Sequence, residues 1–173
     1  MKKVEHGKTF DRNAANPPAF EIFHNTVTEG YPEHWHTAIE IIMPTRGEYE
    51  VVVGKDSYNL KEGDIIMINS GVVHGMRFVS QGERIVMLVE PGCVENQEEM
   101  ETIFLRLPAI YFKKEDEEDP FYLFLRSQIL ELVREYDNEG AVMTHRICTG
   151  LKELFSEFGR KGFSDANAQN TFG

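Results

Sequence analysis

The chain has 173 residues, room for one domain with its own core, and its 41% hydrophobic and 27% charged composition is that of a globular protein and argues against a wholly disordered chain. Its net charge of -11 repels phosphate and makes this chain by itself a poor nucleic-acid binder. Two cysteines, Cys93 and Cys148, make no disulfide framework, no stretch approaches the roughly 20 apolar residues of a membrane helix, and no apolar run comes after Met1-Lys2-Lys3-Val4-Glu5-His6 as in a signal peptide, so a cytoplasmic protein is expected.

In chain order, residues 1–19, with Asn16-Pro17-Pro18, read as an N-terminal arm, either a disordered leader or a segment folded over the rest of the chain. Residues 20–93 alternate short, β-branched apolar runs with turn residues. Strands are expected at Phe20–Thr28, at Trp35–Met43 ending before Pro44, and at Glu48–Val53 after the hairpin Thr45-Arg46-Gly47. Further strands are expected at Ser57–Leu60, Ile65–Ile68, His74–Phe78 and Glu83–Val89, separated by turns rich in Gly, Asn and Asp. Short strands about ten residues apart make a mainly β, antiparallel sandwich or barrel. Residues 94–160 change period. A weak helix is expected over Gln97–Leu107, after which Glu115-Asp-Glu-Glu-Asp119 reads as a solvated loop. Asp119-Pro120 then supplies an N-cap and a first-turn proline for a helix with the stripe Phe121, Leu125, Ile129, Leu132, Val133, Tyr136, stopped at Gly140. A second helix carries Met143, Ile147, Leu151, Leu154, Phe155 and Phe158, stopped at Gly159. Together they form an α-helical hairpin, and residues 161–173 read as a tail or linker.

Four side chains stand out. His34, His36 and Glu40 lie in H-W-H-T-A-I-E, and His74 closes G-D-I-I-M-I-N-S-G-V-V-H. On one strand His34, His36 and Glu40 share parity and point to one face. Three imidazoles and a carboxylate make either a site for one divalent transition metal (zinc, iron, nickel or manganese) or the polar lining of a metal-free ligand pocket. His6, His24 and His145 have no partner pattern. Trp35 lies between the histidines and points to the opposite face, as core or outer packing. Met76 and Phe78 share parity with His74 and are the best additional ligand-pocket candidates, while Met67 and Met87 read as core.

The two motifs resemble those of the cupin fold. His34, His36, Glu40 and Gly47 match the first motif in spacing. Gly63, Gly71 and His74 match the second, with Asn69 in place of its proline and Phe78 in place of its last asparagine. Gly30 stands nearer the histidines than the first motif asks. The order of parts over Phe20–Phe158, a cupin barrel and then amphipathic helices, resembles the sensing domain of AraC-type transcription regulators. The resemblance implies an antiparallel cupin (jelly-roll-like) barrel followed by an α-helical hairpin. It further implies a small-molecule effector, such as a sugar, held near His34, His36, Glu40, His74, Met76 and Phe78. Two copies would pair through the C-terminal helices, where Phe121, Leu123, Phe124 and Leu125 exceed one narrow face. DNA would be bound only through a C-terminal domain not in this chain, which would then be the sensing piece of a longer regulator or a stand-alone relative. The competing reading is a small metal-dependent cupin enzyme, a dioxygenase, isomerase or lyase, in which neither Tyr49 nor Glu50 is singled out as acid or base. A metal-binding storage or scaffold domain is the third.

Overall fold

The computed structural model describes residues 19–27, 30–93, 108–114, 118–138 and 140–161. The strands are β1 (Phe20–Val27), β2 (Tyr31–His34), β3 (Ile39–Arg46), β4 (Tyr49–Val53), β5 (Asp56–Leu60), β6 (Ile65–Ile68), β7 (His74–Phe78), β8 (Gly82–Val89) and β9 (Ala109–Phe112). They build two antiparallel sheets, a five-stranded one in the order β1-β8-β3-β6-β9 and a four-stranded one in the order β2-β7-β4-β5. Neighbours are mostly not consecutive, so the chain passes repeatedly from one sheet to the other, as in a jelly roll. The passages are tight where glycine takes left-handed backbone, as at Gly47 (φ 79°) and Gly71 (φ 75°).

Strand β3 shows why the core has two compartments. Ile42 points into the barrel and packs with Val51, Val53, Leu60, Ile66, Ile68 and Met76. Ile39, Ile41 and Met43 point the other way, into a cluster that also holds Ile65, Met67 and Met87. Both faces of the five-stranded sheet are therefore covered, which is why β3 through Pro44 and all of β6 are buried at every position rather than at alternate ones.

What covers the outer face is a helical hairpin, α1 (Pro120–Asp137) and α2 (Met143–Lys161). Leu125, Ile129 and Leu132 of α1 and Ile147, Leu151 and Leu154 of α2 belong to the same cluster as Ile41 and Met87. Each such side chain contributes about 1.5–3 kcal/mol on burial. Asp119 caps α1, its carboxylate accepting from the Phe121 amide at 2.9 Å, with Pro120 in the first turn as the sequence predicts. The Tyr122 hydroxyl donates to the Gly63 carbonyl at 2.7 Å and pins α1 to the turn before β6. In that turn buried Asp64 accepts from the Lys61 and Lys114 amides and from the Tyr111 hydroxyl at 2.6 Å, tying β6 to the end of β9. Gly150 lets the helices close: a Cβ there would lie 2.9 Å from Leu132 Cδ2. Cys93, in a short 3-10 turn after β8 (Pro91–Cys93), sits 3.4 Å from Cys148 of α2, sulfur to sulfur.

Several boundaries differ from the sequence reading. Strand β2 was not expected, and β9 forms within the stretch read as helical. The expected strand Trp35–Met43 begins only at Ile39 and runs on through Pro44 to Arg46. Proline is tolerated there because pairing of β3 with β6 ends at Ile42 and the register with β8 shifts between Pro44 and Arg46, so no ladder bond is lost. Helix α1 ends at Asp137, capped by Asn138, rather than running to Gly140, and α2 continues past Gly159. A helical glycine costs about 1 kcal/mol but does not by itself end the helix. The arm over residues 1–18, the helix expected over 97–107, most of the acidic run and the tail beyond 161 lie outside the described residues.

Candidate functional site

His34, His36, Glu40 and His74 converge, with one potential ligand atom from each and all four within 4.8 Å of one another. They do not converge by strand parity. His34 ends β2 in the four-stranded sheet, His36 lies in the link after it, and Glu40 sits on β3 in the other sheet. The chain crosses from sheet to sheet between the first histidine and the carboxylate. His74 begins β7 directly opposite His34 in the antiparallel ladder. The cluster therefore closes one end of the barrel between the two layers. His36, Glu40 and His74 are buried, and His34 is partly exposed on the solvent side.

The hydrogen bonds fix how the imidazoles present themselves. Nδ1 of His34 faces the Pro32 carbonyl at 3.0 Å, Nδ1 of His36 the Ala38 carbonyl at 2.9 Å and Nδ1 of His74 the Val72 carbonyl at 2.8 Å. A carbonyl only accepts, so each Nδ1 carries the proton, and in the neutral ring the lone pair is on Nε2. The Nε2 atoms of His36 and His74 lie 2.9 and 2.8 Å from one oxygen of Glu40, Oε2. Neutral imidazoles would aim two lone pairs at a carboxylate that also has only lone pairs to offer. The arrangement is satisfied by positive charge at its centre, either protons on both Nε2 atoms or a cation. The carboxylate is ready for either. Burial alone would raise the Glu40 pKa, but hydrogen bonds and charge from His36 and His74 outweigh it and hold the group at about 2. Nδ1 anchored on a backbone carbonyl, with Nε2 as the ligand atom, is the usual outer-shell arrangement of metal-binding histidine, so the residues fit a nitrogen- and oxygen-preferring transition metal.

The remaining site candidates fall elsewhere. Met76 is buried in the barrel core, whereas Phe78 is 45% exposed at the far end of β7. Four residues along a strand is about 13 Å, so parity with His74 does not bring Phe78 to the histidines. Both residues line a shallow groove along β2 and β7, together with Tyr31, Glu33 and Arg77, and none of the His/Glu cluster lines it. Trp35 is 63% exposed, so its core reading is corrected: it leaves the end of β2 and packs into neither layer. Sequence reasoning missed Arg84, which is 3% exposed inside the barrel with its guanidinium carbon 4.9 Å from the centre of the Tyr49 ring. The one available signal was an arginine in strand parity with the apolar Val86 and Leu88. Of the four apolar groups read as too many for one face of α1, Leu125 is buried, Phe121 packs on Phe112 and Phe124, and Leu123 is exposed; Leu130, two turns further along α1, is exposed as well.

Residues 25–90 match the model of the cupin domain, and the fold over the described residues is a cupin barrel followed by two helices. Among solved structures, the AraC-like transcriptional activator CuxR aligns with a TM-score of 0.58 at 10% identity, over 82% of this chain and 52% of its own. ToxT from Vibrio cholerae, with an unsaturated fatty acid bound, aligns with a TM-score of 0.51 at 12% identity, over 82% of this chain and 53% of its own. The chain thus has the fold of these AraC-like regulators while spanning about half of their length. No curated protein matches the sequence. No helix among the described residues is long and apolar enough to cross a membrane.

Proposed function

We propose that this chain is the effector-sensing and dimerising part of an AraC-type transcription regulator. A small molecule binds within the barrel of β1–β9, one divalent transition metal is held by His34, His36, Glu40 and His74, and helices α1 and α2 pair two copies. DNA is contacted through a segment beyond the linker at 161–173. The observation that carries the reading is the helical hairpin on the outer face of the sheet whose inner face carries Glu40. The shared fold with CuxR and ToxT, the latter with a fatty acid bound, supports it. Occupancy of the barrel would bias the helices by binding one arrangement of the layers better than another. When bound, the metal supplies a Lewis-acidic centre for a ligand oxygen. Two measurements on the chain purified without added metal test the reading: elemental analysis, expected to give one metal per chain, and sedimentation equilibrium, expected to give a dimer. A metal-free monomer that takes up neither iron, nickel, manganese nor zinc would overturn it.

The second reading, a small metal-dependent cupin enzyme, draws support from the partial exposure of His34, which leaves the donor set open to solvent on one side. Against it, Tyr49 pairs with Phe78 at the other end of β7 from His74, and the Glu50 carboxylate is engaged by Ser57 and Arg77 on the surface. Sequencing the gene past codon 173 separates the two: a helix-turn-helix segment favours the regulator, an immediate stop the enzyme.

A further inference from the structure

The barrel holds a second polar feature beside the histidine cluster, whose Glu40 carboxylate acts on its charge. Arg84 sits on β8 opposite Pro44 and shares its inward face with Val86 and Leu88. Its guanidinium crosses the barrel to lie over the ring of Tyr49, which belongs to the other sheet. Nε and Nη1 of Arg84 and the hydroxyl of Tyr49 are all buried, with no hydrogen-bond partner among the described residues. The ring face offsets part of the charge but accepts none of the N–H groups. Buried donors without acceptors cost about 1–3 kcal/mol each, more when charged, so such a group in a folded core is there for a partner. The fold also holds Tyr49 in place: a Cβ on Gly82 would lie 2.2 Å from the Arg46 carbonyl oxygen and 2.8 Å from the Tyr49 hydroxyl, so β8 can approach only as glycine.

We infer that Arg84 and Tyr49 form a buried anchor for the carboxylate of a small organic acid bound inside the barrel. A guanidinium presents paired N–H groups that match a carboxylate in two parallel bonds, and the tyrosine hydroxyl offers another donor. A carboxylate neutralises one guanidinium, whereas a phosphate dianion would leave a net charge in a dry interior. Two acids share this inward face: Glu40, whose charge acts on Arg84 but whose carboxylate is held by His36 and His74, and, on β1, Glu21, whose Oε2 is also buried without a partner among the described residues. Glu21 makes no ion pair with Arg84 and stands opposite Leu88, four residues along β8 from Arg84. The inference rests on the sensing reading and narrows its effector from small molecules in general to acids, with an apolar body against Val86 and Ile42.

The test is titration calorimetry of the full chain with acetate, butyrate and hexanoate, each against the matching primary amide. Wild type, R84M, R84K and Y49F are compared, and metal content is measured for each as a check on the fold. The expected result is that at least one acid binds ten-fold or more tighter than its amide. R84M brings that ratio to about one with metal content unchanged, R84K retains part of it, and Y49F weakens acid binding less than R84M does. Acids and amides binding equally, with R84M indifferent, would overturn the anchor and leave a barrel that senses neutral molecules. Failure of every acid to bind would also overturn it, since an acidic side chain of the protein then occupies the guanidinium. If R84M does not fold, the loss or retention of the acid preference in R84K and Y49F decides.

Discussion

Glu40 Oε2 on β3 lies 2.8 Å from His74 Nε2 on β7, a contact that joins the two sheets at one end of the barrel. Because the same oxygen also meets His36 Nε2, replacing it leaves two imidazoles without their counter-charge. Glu40→Gln keeps the volume and removes the charge. Metal affinity is expected to fall at least ten-fold, read by competition with a chromophoric chelator, while the far-ultraviolet circular dichroism stays that of wild type.

The pH dependence of metal binding is set by the same group. The folded Glu40 pKa of about 2 lies below the ordinary 4.5, so its contribution to stability is complete above 4.5 and is lost as pH falls through about 2. It stays ionised throughout the range in which imidazoles as a class titrate, between pH 5 and 8. Metal release on acidification is therefore governed by histidine protonation and should begin below neutrality. Dialysis at a series of pH values with elemental analysis checks this. Retention of the metal down to pH 4 would contradict it.

Tyr122→Phe removes the hydroxyl that satisfies the buried Gly63 carbonyl. The expected cost is about 1–3 kcal/mol in urea unfolding, with the slope of the transition unchanged. An indistinguishable midpoint would mean that α1 is held to the barrel by apolar packing alone.

Cys93 and Cys148 stand 3.4 Å apart as thiols, and burial and the bond between them push the Cys93 thiol up to about 12. Thiolate is the reacting form, so air oxidation at neutral pH should be slow. Diamide, which takes up the two electrons and two protons released, should link the pair within one chain, faster as pH rises. Closing a loop of this size stabilises by about 4 kcal/mol on loop-entropy grounds. Peptide mapping identifies the bond, and its absence after prolonged diamide at pH 9 would show that the layers hold the sulfurs apart.

Leu123 and Leu130, two turns apart on α1, are 50% and 39% exposed. If α1 pairs two copies, Leu123→Glu and Leu130→Glu should each raise the dimer dissociation constant ten-fold or more in sedimentation equilibrium, with thermal unfolding of the monomer unchanged. A dimer insensitive to both would move the interface elsewhere.

Legibility tracked locality. Strands bounded by glycine turns were readable because the turn and the apolar run lie within a few residues, as at β6 and β7. Strand β9 was not, because Ala109–Phe112 becomes a strand only by pairing with β6, some forty residues earlier. The four cluster residues do come together, as their spacing suggests, but not for the geometric reason read from one strand. Parity places side chains on one face of one strand, while here the link 35–38 carries the chain between sheets. Arg84 was passed over for a related reason: its strand parity alone is a weak mark, and what singles it out is the ring of Tyr49 across the barrel, which no local pattern encodes.

Strand β3 is read from both sides at once. Ile39 and Ile41 belong to the helix layer, and Glu40 between them belongs to the histidines. A slip of β3 by one residue would bury the carboxylate among the aliphatic side chains under α1 and α2 and offer an isoleucine to three imidazoles. Either error is costly alone, and they occur together. The polar cluster therefore acts during folding as a checksum on β3, admitting only the alignment in which the opposite face is also fit to receive the helices.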